Sequence, residues 1–194
     1  GTDDAMHMGN ELLTLPVAGG LFAAAGAGIA AASVRARRTL DERRAPLLGV
    51  LGAFVFAAQM VNFPVLPGTS GHFLGAALLA VLLGPHAAAL GMASIVIVQC
   101  LVFQDGGLLA LGANLVNMAL AAPYAAYATF RLLRPAGFYA ACFAAAMVSI
   151  LVPAILVSLE ITAAGVSRIP LPLFLGTMAG VHAAIGAVEG VLTF

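Results

Sequence analysis

The sequence predicts an all-α polytopic membrane protein of seven transmembrane helices with its N-terminus outside. Three observations support this. Of the 194 residues, 62% are hydrophobic and only 8% charged, with a mean hydropathy of +1.08, whereas soluble domains carry roughly 25% charged residues. Proline, glycine and charge divide the chain into apolar runs, most of them close to the about 20 residues a helix needs to cross hydrocarbon. Arginine is also spread unevenly between the runs, which fixes how they alternate across the bilayer.

The first run, about 15 to 34, is dense in Ala and Gly. Its pairs Ala23/Ala27 and Gly26/Ala30 repeat at four-residue spacing, a pattern that lets helix backbones approach, either within the bundle or against a partner. The second run, about 46 to 63, has Gln59 and Asn62 near its end. The third, 72 to 84, is opened by Gly71 and closed by Gly84-Pro85. It is too short to cross upright at about 1.5 Å per residue, so its backbone ends must find partners among other helices. The fourth run covers 86 to 103, and the fifth, 108 to 133, carries Asn114 and Asn117 three residues apart. The sixth covers 137 to 160, and the seventh, 170 to 194, places His182 and Glu189 two helical turns apart on one face. No internal repeat is present, and residues 1–194 form one expected transmembrane domain.

Arg35, Arg37, Arg38, Arg43 and Arg44 fall between the first two runs, and Arg131 and Arg134 between the fifth and sixth. Seven runs put both basic connections on one side, the cytoplasmic side by the positive-inside rule, with only Arg168 opposite. Six runs would split them. The seven-run count leaves the N-terminal segment, the 64–72 loop, the 104–107 loop and the stretch from Glu160 to Arg168 together on the outer face. Asp3, Asp4, Glu11, Asp105 and Glu160 share that face, where acidic groups attract cations weakly; Asp3 and Asp4 are read as solvated loop charges.

Several function classes are excluded. The chain has no lysine and zero formal net charge, so it lacks the basic footprint of a nucleic-acid binder. Without lysine there is no G-x-x-x-x-G-K-[ST] loop for nucleotide chemistry. Cys100 and Cys142 lie in separate apolar runs without ligand spacing and are read as buried packing residues. No cleavable signal peptide is visible at the N-terminus.

His7 and His72 are the candidate chemistry-bearing residues, because both fall beside glycines at the outer edge. Neutral imidazole is the commonest transition-metal ligand, and square nitrogen sets suit Ni(II) or Cu(II). The plainer reading is two histidines that hydrogen-bond at helix ends. His86 is expected as an interfacial polar group, and His182 as a structural hydrogen-bonding residue facing the bundle interior. The amide pairs Gln59/Asn62 and Asn114/Asn117 are expected either to join helices or to orient a metal-binding loop.

Taken together, the opening Met-His, residues 46–85 with G-T-S-G-H, Q-D-G-G-L-L-A-L-G-A-N-L-V-N-M-A (104–119) and H-A-A-I-G-A-V-E-G-V-L-T (182–193) resemble the CbiM/NikM family over nearly the whole chain. These are the substrate-capture S components of energy-coupling-factor (ECF) ABC transporters for cobalt and nickel. The resemblance implies a six-helix S-component core with an added N-terminal helix, in the prokaryotic plasma (inner) membrane. It implies Ni2+ or Co2+ as the transported substrate, with no organic cofactor and no catalysis by this chain. The implied partners are a CbiQ/NikQ-like transmembrane T component, two CbiO/NikO-like ABC ATPases and a small accessory membrane subunit, with no nucleic acid.

The ligands implied by the resemblance are the amine of Met6, the amide and imidazole of His7, and the imidazole of His72. Adjacent amine, amide and imidazole donors close fused chelate rings, which favour Ni(II) over the oxygen-seeking Mg(II) and Ca(II). Gly1 to Ala5 precede Met6 and depart from the family pattern. They are read as a cloning remnant or an extension removed in maturation, while a start at Ala5 would give an Ala-Met-His chelator independent of His72.

Two other functions compete. A stand-alone secondary metal-ion transporter or channel would need ionisable relays at mid-membrane, and only Glu189 is a carboxylate well inside a run. An intramembrane hydrolase would pair Ser70, Ser94 or Ser149 with His182, yet no serine sits in a nucleophile turn, and serines in apolar helices mostly bond their own backbone.

Overall fold

The computed structural model describes residues 7–66 and 69–193. After a single turn at Asn10–Leu12, the helices α1 (Leu15–Ala36) and α2 (Arg44–Gln59) lead into the strands β1 (Asn62–Leu66) and β2 (Thr69–His72). The helices α3 (Ala76–Leu83) and α4 (Pro85–Val102) follow. Next, α5 (Leu111–Asn114), a π-helical stretch (Leu115–Ala121) and α6 (Ala122–Leu133) run on as one rod. The chain ends in α7 (Phe138–Ala164) and α8 (Leu171–Leu192). Among the described residues α1, α4, α7 and α8 are each long and apolar enough to cross a membrane, and α2 is a shorter apolar helix. This is a helical membrane protein.

The helices stop where local chemistry makes them stop. Asp41 Oδ1 accepts the Arg43 and Arg44 N–H groups at 3.0 and 2.8 Å and so caps the start of α2; these two bonds, together with the Arg44 charge, hold its carboxyl below the usual range. Pro85 opens α4 at a position that needs no N–H. Gly165 at φ +67° closes α7.

The structure corrects the expected second and third runs. α2 ends at Gln59 rather than about 63, and the chain becomes an antiparallel hairpin pairing Asn62 with His72 and Phe63 with Gly71. His72 therefore closes a strand, and the short helix begins four residues later. An isolated two-stranded hairpin is marginal in water. Here Val65 and Leu66 pack on Phe174, Met178, Ala154 and Ile161 of α7 and α8, which gives the hairpin a floor.

The core is built largely from alanine, with Leu79, Met92, Val96 and Ile150 filling the spaces between α3, α4, α7 and the 111–133 rod. Small side chains permit close helix approach where lipid offers no hydrophobic drive. α1 buries Ala18, Ala25, Ala32 and Ala36, with Val17, Leu21 and Ile29 partly buried beside them, and most of its remaining surface is exposed. Ala23, Ala27, Gly26 and Ala30 all face outward, so the four-residue pairs do not pack α1 onto this chain. The close approach comes instead at Gly112, where an added Cβ would lie 2.6 Å from the Phe22 backbone nitrogen.

Candidate metal centre

The site is assembled from four pieces of chain. The first, beginning at His7, is buried and held by the 104–114 segment. Met8 N–H donates to Asn114 Oδ1 at 3.3 Å, while Asn114 Nδ2 and Gly107 N–H donate to Met8 O at 3.4 and 3.3 Å. Asn10 Oδ1 accepts the Leu109 N–H at 2.7 Å. The D-G-G motif permits this approach. Gly106 adopts φ +72°, and a Cβ on it would come within 2.8 Å of His7 Cβ; a Cβ on Gly107 would strike the Asn10 side chain. The glycines leave the room that the N-terminal segment occupies.

His7 is 3% exposed. Its backbone N–H donates to Asp105 Oδ1 at 3.2 Å, and its Nδ1 lies 2.8 Å from Asp105 Oδ2, off the line a hydrogen bond takes. Amide nitrogen and Nδ1, the pair a chelate would use, thus converge on one carboxylate. Nε2 is buried without a hydrogen-bond partner, a cost rarely tolerated unless something else satisfies the atom.

His72 meets His7 nearly edge to face, with ring centroids 5.3 Å apart and planes at 68°. Its Nδ1 lies 2.7 Å from Phe73 O. A carbonyl only accepts, so Nδ1 carries the hydrogen and Nε2 keeps its lone pair, as in histidines that bind metals through the other nitrogen. Burial, then the neighbouring His7, pushes the His72 pKa from 6.5 down to about 4. At neutral pH it is uncharged and able to ligate.

The turn after His72 is fixed from two helices. Glu189 of α8, 4% exposed, accepts Leu74 N–H at 2.7 Å and Gly75 N–H at 3.0 Å, which caps α3 from outside its own sequence. Gln59 Nε2 donates to Leu74 O at 2.7 Å, and Gln99 Nε2 donates to Gln59 Oε1 at 3.0 Å.

A cavity of about 60 Å3 is lined by His7, His72, Asn114, Asn117, Met118, Met178 and His182, among others. Asn117 donates to Glu160 Oε2 at 2.8 Å. His182 makes the expected structural bond, Nδ1 to Met178 O at 2.8 Å. His86 pairs with the Tyr124 hydroxyl at 2.7 Å, away from the cavity lining.

His7 and His72, proposed from sequence as partners, are therefore together; Met6 lies outside the described residues. The expected amide pairs divide. Gln59 and Asn114 hold backbone beside the site, Asn117 joins the 111–133 rod to α7, and Asn62 sits in a strand opposite His72. Sequence reasoning missed Gln99 and the turn-holding role of Glu189, and it placed Asp105 only on the correct face. An isolated carboxylate or amide inside an apolar run was the available signal for Glu189 and Gln99. Ser94 and Ser149 bond Leu90 O and Ala146 O of their own helices, as expected for serines without catalytic work.

A polytopic helical bundle that brings His7 and His72 together in a cavity at one end fits a membrane component that handles a metal ion. The chain belongs to the CbiM family, cobalt uptake substrate-specific transmembrane region, which it matches over residues 7–194. It is 39% identical over 188 residues to a putative fused nickel transport protein, NikMN, of Archaeoglobus fulgidus, covering 97% of this chain but 63% of that one. A putative metal transport protein of Haloquadratum walsbyi is 37% identical, with 97% and 86% covered. A putative cobalt transport protein CbiM of Archaeoglobus fulgidus is 31% identical, with 82% and 78% covered. Two solved structures of transition metal transporters, one truncated, each superpose with a TM-score of 0.90 at 29% (the truncated one) and 30% identity. Both cover 97% of this chain, and 94% and 89% of theirs.

Proposed function

We propose that this chain is the substrate-capture subunit of an ECF-type ABC transporter, taking one Ni2+ or Co2+ ion at the outer face through nitrogens of Met6, His7 and His72. The pairing of two imidazoles, that of His7 with its amide nitrogen and Nδ1 converging on the Asp105 carboxylate and that of His72 with Nε2 free to ligate, carries this reading. Relatives named for nickel and cobalt transport support the choice of ion. In this reading the amide and Nδ1 of His7 exchange the Asp105 carboxylate for the ion, and the Met6 amine and His72 complete a nitrogen set. Seven spans with the N-terminus outside place that set on the extracytoplasmic side of a prokaryotic plasma membrane. A T component, two ABC ATPases and a small accessory membrane subunit supply energy coupling, since this sequence holds no nucleotide loop.

The test is Ni2+ titration of purified protein beginning at Met6, beside the present sequence and His72→Ala, followed by the visible absorption of planar Ni(II). The Met6 form should bind most tightly, and His72→Ala should lose about tenfold or more, the loss of one ligand being worth at least that in a closed donor set. Equal binding in all three forms overturns the ligand assignment.

A further inference from the structure

The two histidines belong to different parts of the chain, and hydrogen bonds join those parts behind the site. On the His7 side, Asp105 Oδ1 accepts the His7 N–H at 3.2 Å. Asp105 is anchored in turn by its own N–H, which donates to Gln99 O in the last turn of α4 at 3.1 Å. Gln104 turns the chain back for this bond at φ +56°, a left-handed conformation that few residues with a side chain adopt. The Gln99 side chain reaches the other way. Its Nε2 donates to Gln59 Oε1 at 3.0 Å, and Gln59 Nε2 donates to Leu74 O at 2.7 Å, two residues past His72. Glu189 ties that turn to α8, which carries neither histidine, whereas the amide pair ties it to the half of the site that holds His7. Both amides are wholly buried, at 0% exposure. Glue between α2 and α4 is their plainer role. Yet Gln99 Oε1 has no hydrogen-bond partner among the described residues, and an unpaired buried acceptor lowers stability. An apolar side chain of this size would serve packing better.

We propose that Gln59 and Gln99 are positioning residues for the metal centre, a strut between α2 and α4 that fixes where the His72 turn stands relative to the His7 chelate. The proposal rests on the capture reading above. A chelate closed on neighbouring atoms of Met6 and His7 keeps its shape unaided. His72 joins it from a separate element, so its contribution depends on how firmly that element is held. The strut keeps the two rings at their centroid separation of 5.3 Å. Without it, an ion on the His7 chelate loses His72 for part of the time and takes water in its place.

The test is a double-mutant cycle in the purified protein beginning at Met6, with Ni2+ as the probe, comparing the parent, Gln99→Met, His72→Ala and Gln99→Met/His72→Ala. Gln99→Met keeps the side-chain volume and removes the donor. It should weaken Ni2+ binding by about tenfold, as losing the support of a ligand does, although Gln99 itself touches no ion in this reading. It should also shift the visible band of bound Ni(II) to longer wavelength, because water replaces a nitrogen donor. In the Gln99→Met background His72→Ala should cost less than about threefold, since the two act as one unit rather than as independent sites. An unshifted band in Gln99→Met, or a His72→Ala loss of the same fold in both backgrounds, overturns the strut and leaves capture standing. No loss from His72→Ala in the parent overturns the capture reading, and the strut with it. Should Gln99→Met not fold, Gln59→Met/Gln99→Met takes its place in the same cycle, because exchanging both partners of a buried pair for apolar groups is better tolerated than removing one.

Discussion

At the scale of single residues, the site depends on His72 being held neutral and in one tautomer. His72 has its pKa lowered from 6.5 to about 4, chiefly by burial, so between those values the unfolded chain binds a proton that the folded chain refuses. Stability therefore falls as the pH drops through that window, and it is fully present above the unfolded value. The metal-free protein should lose melting temperature between about pH 7 and about pH 4.5, and His72→Gln should lose less. Far-ultraviolet circular dichroism of both proteins in detergent checks this; parallel pH profiles would show that His72 is not desolvated as described. The partnership of His7 and His72 was legible in sequence because arginine placement put both on one face. The Asp105 contact was not legible, since nothing local states that the 104–114 segment wraps the N-terminal residues. Gly106 and Gly107 were the hint. Two consecutive glycines after an acid mark close approach by another backbone, though not whose.

At the scale of elements, the helices were the readable part and their interruptions were not. Apolar runs bounded by Gly, Pro and Arg gave α1, α4 and the 111–133 rod to within a few residues, because in lipid the length of a run is itself a physical constraint. The hairpin after α2 escaped because its pairing depends on the α7–α8 surface beneath Val65 and Leu66, a tertiary fact. The π-helical stretch escaped because no composition distinguishes it from α-helix; such wide turns often sit at functional sites, and this one carries Asn117 and Met118 into the cavity. α3 is a half-length helix, and the Leu74 and Gly75 N–H groups of the turn leading into it are satisfied by Glu189 from α8. Glu189→Ala would leave both without an acceptor, at about 1–3 kcal/mol each. It should lower the melting temperature and, by loosening the turn next to His72, weaken Ni2+ binding. Glu189→Gln retains one acceptor oxygen and should fall between parent and Glu189→Ala in both measurements. Parent-like melting of Glu189→Ala would show that the cap is dispensable.

At the scale of the whole molecule, the chemistry is sorted by end. α1 runs from the metal end, beside His7, to the arginine-bearing connection, and the 111–133 rod runs the same way from Asn114 to Arg131. The end that holds His7, His72 and Asp105 is thus opposite the one holding Arg37, Arg38, Arg43, Arg44 and Arg134. Arginine-rich connections favour the cytoplasm, so in the proposed function capture from outside and a basic inner face would be two consequences of one charge distribution. Labelling single cysteines tests both. With the buried Cys100 and Cys142 replaced by Ala, Leu108→Cys lies at an exposed position of the metal end and Thr39→Cys at an exposed position of the arginine end. An impermeant maleimide should modify Leu108→Cys in intact cells and Thr39→Cys only after permeabilisation. The reverse pattern would turn the bundle over and place the imidazoles in the cytoplasm. The same geometry would then suit release of an ion rather than its capture, which makes orientation the property on which uptake depends most directly.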